Sequence, residues 1–131
     1  MDSNIEIAER IYDAWGQGDF SGSDWAAPEF ELVAVDGPTT GHAVGMDAAA
    51  KLWSEVLSAW EDFRTLVEEF VPINDDCLLV LTTNSGRGKS SGMNVGTITG
   101  KGANVLYIRN GKVTKLLAYW DREAALADLG R

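Results

Sequence analysis

The side chains able to do chemistry are few in this chain of 131 residues, which holds one histidine, His42, and one cysteine, Cys77. His42 has an ordinary pKa near neutrality and suits a proton shuttle, although its glycine-flanked stretch also suits a surface loop. Asp36 follows a short strand-like stretch over 30–35, and Asn104 lies midway along a longer one, in phase with Leu106 and Ile108. A carboxylate and an amide facing one apolar cavity can act as general base and oxyanion-stabilising donor, the pair needed to enolise a ketone. An apolar wall would desolvate that carboxylate, raise its pKa and make it a competent base near neutral pH. Asp36 equally suits a turn before Gly37 and Pro38, whereas an amide among apolar neighbours, as at Asn104, must find a hydrogen-bond partner.

The five tryptophans are the second chemical feature. Trp15, Trp53 and Trp60 fall on helix faces expected to point inward, Trp25 lies on a short second helix, and Trp120 ends the last strand. Indoles that line a partly wet cavity keep their N–H groups satisfied while offering flat apolar walls. The alternative is that each is simply core. Other chemistries are excluded by spacing. Gly88-Lys89-Ser90 resembles the end of a phosphate loop, but position 83 holds Thr83 where that loop needs glycine, and a strand follows instead of a helix. There is no nucleophile elbow, no helical pair of histidines and no cluster with metal-ligand spacing, so neither a metal nor another cofactor is expected.

Composition narrows the partners. The net charge is −9, with 20 acidic residues against 11 basic ones, which repels phosphate backbones and argues against nucleic acid. The acid is concentrated early: residues 1–65 carry 13 acids and 3 bases, while residues 66–131 carry 7 acids and 8 bases. No run approaches the 18 apolar residues of a membrane span, no signal peptide is visible, and a lone cysteine forms no internal bridge. A soluble, cytoplasmic protein with no membrane partner is expected. Length and 45% hydrophobic content suit a single domain over 1–131.

The elements that must position these groups follow from periodicity. Ser3 and Glu6 form a capping box, Ile7, Ala8, Ile11, Ala14 and Trp15 share a helix face, and Gly16 and Gly18 end it. A short helix is expected over 19–27, ended by Pro28, with a strand over 30–35. The clearest amphipathic pattern, Ala49, Leu52, Trp53, Val56, Leu57 and Trp60, makes a helix over 46–60. The period then changes to two, giving strands over 63–72, 77–87, 93–109 and 113–120, with an Asn110-Gly111 hairpin turn. Asp121 caps a last helical segment over 123–129. Helices followed by long antiparallel strands make an α+β fold, with N-terminal helices packed on a strongly bent, mostly antiparallel sheet; Gly96, Gly100 and Gly102 are the expected bend. Both phases of the last strand are apolar, Leu116 and Trp120 on one and Leu117 and Tyr119 on the other, so something must cover the second face; a homodimer is expected there.

Several strings carry a family resemblance: Ile11-Tyr12-Asp13-Ala14-Trp15 leading into Gly18-Asp19-Phe20, the glycines at 41 and 45, Trp60-Glu61-Asp62-Phe63, and Tyr107-Ile108-Arg109-Asn110-Gly111-Lys112-Val113 closing in Tyr119-Trp120-Asp121. With them the chain resembles, over its whole length, the SnoaL-like branch of the nuclear transport factor 2-like superfamily, the ketosteroid isomerase and polyketide cyclase fold. The resemblance implies a cone whose scaffold serves isomerases, cyclases, epoxide hydrolases, dehydratases and pure binders. It places the isomerases' oxyanion-stabilising acid at Asn104, their general base near Ala34, two residues before Asp36, and the cyclases' aspartate at or near Ala118. The arginine and paired aspartates of limonene epoxide hydrolases have no counterpart.

The function expected is binding of a small apolar, cyclic or polyketide-like molecule in a Trp-lined cone, with Asp36 and Asn104 as catalytic candidates for isomerase- or cyclase-type chemistry. Tyr12, Trp15, Trp53, Leu106 and Trp120 are the candidate ligand contacts. The alternative is a non-catalytic, dimerising interaction module whose cone is filled by its own side chains; an empty cavity of several hundred Å³ would separate the two.

Overall fold

Ile7, Ala8, Ile11, Tyr12 and Trp15 recur at three- and four-residue spacing and form the buried face of α1 (Asn4–Gly16). The computed structural model describes residues 4–17, 19, 24–36, 40–58, 60–90 and 93–130, with side chains left undescribed at 56, 60–62 and 87–100. The Ser3 cap, the Gly18 stop and the Gly37-Pro38 turn lie outside the described residues. After α1 come β1 (Ala26–Ala34), β2 (Gly41–Val44), α2 (Met46–Ser58), β3 (Trp60–Asn74), β4 (Cys77–Ser90), β5 (Met93–Arg109), β6 (Lys112–Tyr119) and α3 (Arg122–Asp128). The strands make one sheet in the order β2-β1-β6-β5-β4-β3, antiparallel throughout except where β1 runs parallel to β6.

The expected helix over 19–27 is corrected at its C-terminal end, since Trp25 stands in a turn and Ala26 already begins β1; residues 20–23 lie outside the described residues. Trp25 packs edge-on against Trp15 and Phe30, at ring distances of 5.9 and 5.3 Å, so tertiary aromatic contacts override local helix propensity. Pro28 lies within the strand it was expected to precede. The β1–β6 pairing jumps from Ala26↔Val113 to Glu31↔Lys115, and this irregularity asks no ladder bond of a residue that has no N–H. Trp60 likewise belongs to β3 and not to the preceding helix.

The bend of the sheet is also distributed differently from the expectation. Gly96 does fall in an irregular stretch, where Arg87↔Thr97 is followed by Lys89↔Asn94, but Gly100 and Gly102 pair regularly with Asn84 and Thr82. Three further irregularities lie between β3 and β4, each putting one extra residue on β3. Such bulges bend and twist an edge strand, and they blunt it against stray pairing. Another falls between β5 and β6, where the Thr114 hydroxyl donates to the Tyr107 carbonyl at 3.2 Å.

The hairpin and cap follow the sequence reading. Asn110 and Gly111 take φ of 54° and 76°, the left-handed values that a tight I′ turn requires. Asp121 accepts a hydrogen bond from the Glu123 amide at 3.0 Å at the start of α3.

Alternation then sorts the strands' side chains into two cores. One face joins Leu78, Val80, Leu106, Ile108 and Leu116 to the buried residues of α1 and α2. The other joins Leu79, Val105, Cys77 and Tyr119 to Ala125 of α3, with Leu117, Leu126 and Leu129 packed around them. The apolar second face therefore has a cover within the same chain.

Candidate functional site

The inward phase of the central strands is apolar at one end of the cone and polar at the other. On β4 it runs Leu78, Val80, Thr82, Asn84; on β5 it runs Ile108, Leu106, Asn104, Gly102. Thr65 of β3 pairs directly with Asn84 in the ladder, and its hydroxyl donates to the Asn84 Oδ1 at 3.0 Å. Asn104 is 7% exposed, and its Nδ2 donates to the Tyr12 hydroxyl at 2.5 Å. Tyr12 reaches this point from α1, where it is buried among aromatic rings. Burial holds its phenol well above the ordinary tyrosine range, the Asn104 hydrogen bond opposing only in part. A hydroxyl that accepts from Asn104 still has its own proton to donate.

Beside these groups lies a cavity of about 30 Å³. One wall is aromatic, made by Trp53, Phe63 and Trp120, with Phe63 and Trp120 in edge contact at 5.8 Å. The opposite wall is polar and uncharged, made by Thr65, Asn84 and Asn104. Ala34 and Ala118, which pair across β1 and β6, complete it with Tyr119. Among the described residues no Asp, Glu, His, Lys or Arg lines this space.

Of the candidates read from sequence, Asn104, Trp53 and Trp120 meet at this cavity, and Tyr12 joins them through Asn104. Trp15 and Leu106 stand apart from it. Trp15 is 4% exposed and stacks on Trp53 at 5.5 Å and 26°, while Leu106 is fully buried between sheet and helices. The indole of Trp60 lies outside the described side chains. Asp36 is not in the lining: its carboxylate accepts the backbone N–H of Trp120 and, at 3.3 Å, that of Asp121, tying the end of β1 to the end of β6. His42 is an exposed residue of the edge strand β2 and meets Glu31 at 2.9 Å. Gly88 to Ser90 end a strand. Phe63, Thr65 and Asn84 were not singled out from sequence. The period-two argument that found Asn104 applies equally to Thr65 and Asn84, polar residues on the inward phase of apolar strands.

Two wider concavities lie elsewhere. One of about 440 Å³ sits between α1 and the β5–β6 turn and includes Trp15, Trp25 and Lys112; another, an open groove of about 660 Å³ between α1 and β3, has Glu9, Asp13 and Glu69 on its rim. No helix among the described residues is long and apolar enough to cross a membrane, and they hold no group of three or more His, Cys, Asp or Glu able to bind a metal.

No protein-family model matches the chain, and no curated protein matches it. Solved structures do. An NTF2-like protein of unknown function from Burkholderia pseudomallei superposes with a TM-score of 0.77 over 100% of both chains at 20% identity. TerC, crystallised with polyporic acid, gives 0.74 over 98% of both chains at 21% identity. A protein named for SnoaL-like polyketide cyclases, from a Jannaschia species, gives 0.73 over 96% of this chain and 90% of its own at 15% identity. The chain has the NTF2-like α+β fold, shared with SnoaL-like proteins.

Proposed function

We propose that this protein binds a small, neutral, largely apolar ring molecule through the aromatic and amide walls of the cone, and that Asp36 does no acid–base chemistry there. The observation that carries this reading is the pair Ala34 and Ala118. The family resemblance puts the isomerases' base near the first and the cyclases' aspartate near the second, and in this fold the two are ladder partners in the cavity wall. Both are methyl groups. The donor half of an enolising site is present in Asn104 and the Tyr12 hydroxyl, while Asp36, the carboxylate expected to complete it, has its oxygens engaged by backbone amides. A site with donors and no base holds a carbonyl without removing its α-proton. TerC, which shares the fold, was crystallised with a small molecule, polyporic acid, and this supports a small-molecule ligand for the scaffold.

The size of the cavity bears on the alternative. About 30 Å³ is the space of one water molecule, so a ring enters only as Trp53 or Trp120 swings aside. That small volume favours the second reading, a module with a filled cone, and under it the outer face around Tyr107 and Leu117 is the surface for a homodimer, with α3 its partial cover. Titration with acetophenone, followed by tryptophan fluorescence, decides between them. Saturable quenching that weakens about tenfold in Asn104→Leu supports binding, on the scale of one lost hydrogen bond. No quenching up to the solubility limit, together with a dimer in sedimentation, supports the filled module.

A further inference from the structure

The concavity of about 440 Å³ between α1 and the β5–β6 turn has no part in the reading above, yet its volume is that of a small-molecule site. Its floor is apolar. Ile7, Ile11 and Trp15 are buried residues on one face of α1, and the half-buried Trp25 stands edge-on to Trp15 at a ring distance of 5.9 Å. The segment that carries Trp25 is tied to the hairpin, because the Val113 amide donates to the Trp25 carbonyl at 2.9 Å and the Lys112 ammonium donates to the Asp24 carbonyl. The indole wall is therefore held in place from both α1 and the sheet.

Four charges surround that floor, one of each sign on either side. On the α1 side are Arg10 and Asp19, the latter placed just past the helix by its amide, which donates to the Ala14 carbonyl at 2.9 Å; on the hairpin side are Lys112 and Asp24. Among the described residues the groove between α1 and β3 is lined by acids without a base, and the inner cavity by no charged side chain. Of the three concavities, this one alone brings cations to its lining, and it balances them with carboxylates in a chain of net charge −9.

We infer that this concavity binds an aromatic zwitterion, a flat ring carrying both an ammonium and a carboxylate, as an aromatic amino acid does. The ring lies against the indoles. Its carboxylate meets Lys112, whose ammonium keeps two N–H groups beyond the one given to Asp24, and its ammonium meets the Asp24 carboxylate beside an indole that also attracts cations. A ligand with a single charge is matched less well, because each side of the rim offers it one charge of its own sign, and an anion is further opposed by the net charge of the chain. The site shares no lining residue with the Asn104 cavity and does not rest on ketone binding there.

The test titrates ¹⁵N-labelled protein with L-tryptophan, with tryptamine, which lacks the carboxylate, and with indole-3-propionate, which lacks the ammonium. L-Tryptophan should shift the Gly111 and Lys112 amides and the Trp25 indole N–H saturably, and each single-charge analogue should bind about tenfold more weakly, the scale of one lost contact between charges. Lys112→Met should bring L-tryptophan down to the affinity of tryptamine and leave tryptamine unchanged; Asp24→Asn should bring it down to that of indole-3-propionate and leave that acid unchanged. Both side chains are exposed, so neither change empties the core. Equal affinity for the three probes, or a preference for L-tryptophan that survives both substitutions, overturns the zwitterion assignment, and the absence of saturable shifts at these signals overturns the site. Acetophenone titrated into the same samples and followed at the Asn104 side-chain amide reports on the inner cavity, so the two readings fail separately.

Discussion

Between the sheet and the helices α1 and α2, the space around the cavity is lined by indoles, a phenol, amides and a hydroxyl, with no charged side chain among the described lining residues; between the sheet and α3 lie apolar side chains rimmed by ionised ones. The outer clasp is built on Arg122. Its guanidinium donates to the Thr82 carbonyl at 2.7 Å and the Gly102 carbonyl at 3.1 Å, and pairs with the Glu68 carboxylate at 3.2 Å. Thr83 also donates to Glu68. Tyr119 donates to Asp128 at 2.8 Å, closing α3 onto the end of β6. Thr82 and Gly102 offer their carbonyls to Arg122, while the Thr82 hydroxyl is buried without a hydrogen-bond partner. The carboxylates Glu68 and Asp128 serve the contacts that hold α3 down, whereas no carboxylate lines the cavity among the described residues.

The largest effect that can test this division is on the inner face. Leu106→Ala should cost about 2–5 kcal/mol of stability by chemical denaturation, the range for emptying a well-packed position. A loss below about 1 kcal/mol would mean the inner core is loosely packed and the cavity is not a defined space.

Arg122→Leu should cost less, about 1–2 kcal/mol for the two carbonyl contacts, with no loss of acetophenone binding. Weakened binding in this variant would show that the clasp and the site are coupled.

The same clasp sets an acid limit. Hydrogen bonds from Arg122 and then Thr83 lower the Glu68 carboxyl from its ordinary 4.5 to about 2. A folded-state pKa below the unfolded one gives stability that is complete above pH 4.5 and is lost as pH falls towards 2. Wild-type Tm should therefore fall across that window, and the fall should be shallower in Arg122→Leu. Tyr119 sets the alkaline counterpart. Burial, then Asp128, raises its phenol from 10 to about 12, so the stability it contributes is present below pH 10 and fades towards 12.

The smallest effect is expected at Asp36. Asp36→Asn keeps one acceptor oxygen for the Trp120 amide and should lower stability by less than about 1 kcal/mol, without changing probe affinity.

How much of this was legible in the sequence depends on the range of the interaction involved. The amphipathic face of α1, the Asn110-Gly111 turn and the Asp121 cap are local, and their residues specify them directly. Asn104 was legible as a buried amide because alternation along one strand is also local. Trp25 was misplaced on a helix because its conformation is set by Trp15 and Phe30 across the core. Asp36 was expected on the cavity wall because sequence gives its distance from an apolar run but not its partners, two amides 84 and 85 residues away along the chain. The bend was sought at glycines in β5, while three of the six register irregularities fall on β3, where the extra residues are defined only by register against β4.

The central claim is that the cone binds a neutral ketone without a base. Acetophenone in D₂O, incubated with saturating protein and followed by proton NMR of its methyl group, tests it most directly. The account predicts saturable binding with α-proton exchange no faster than in buffer. Exchange accelerated by the protein and abolished in Asp36→Ala would contradict it and restore the carboxylate as a base.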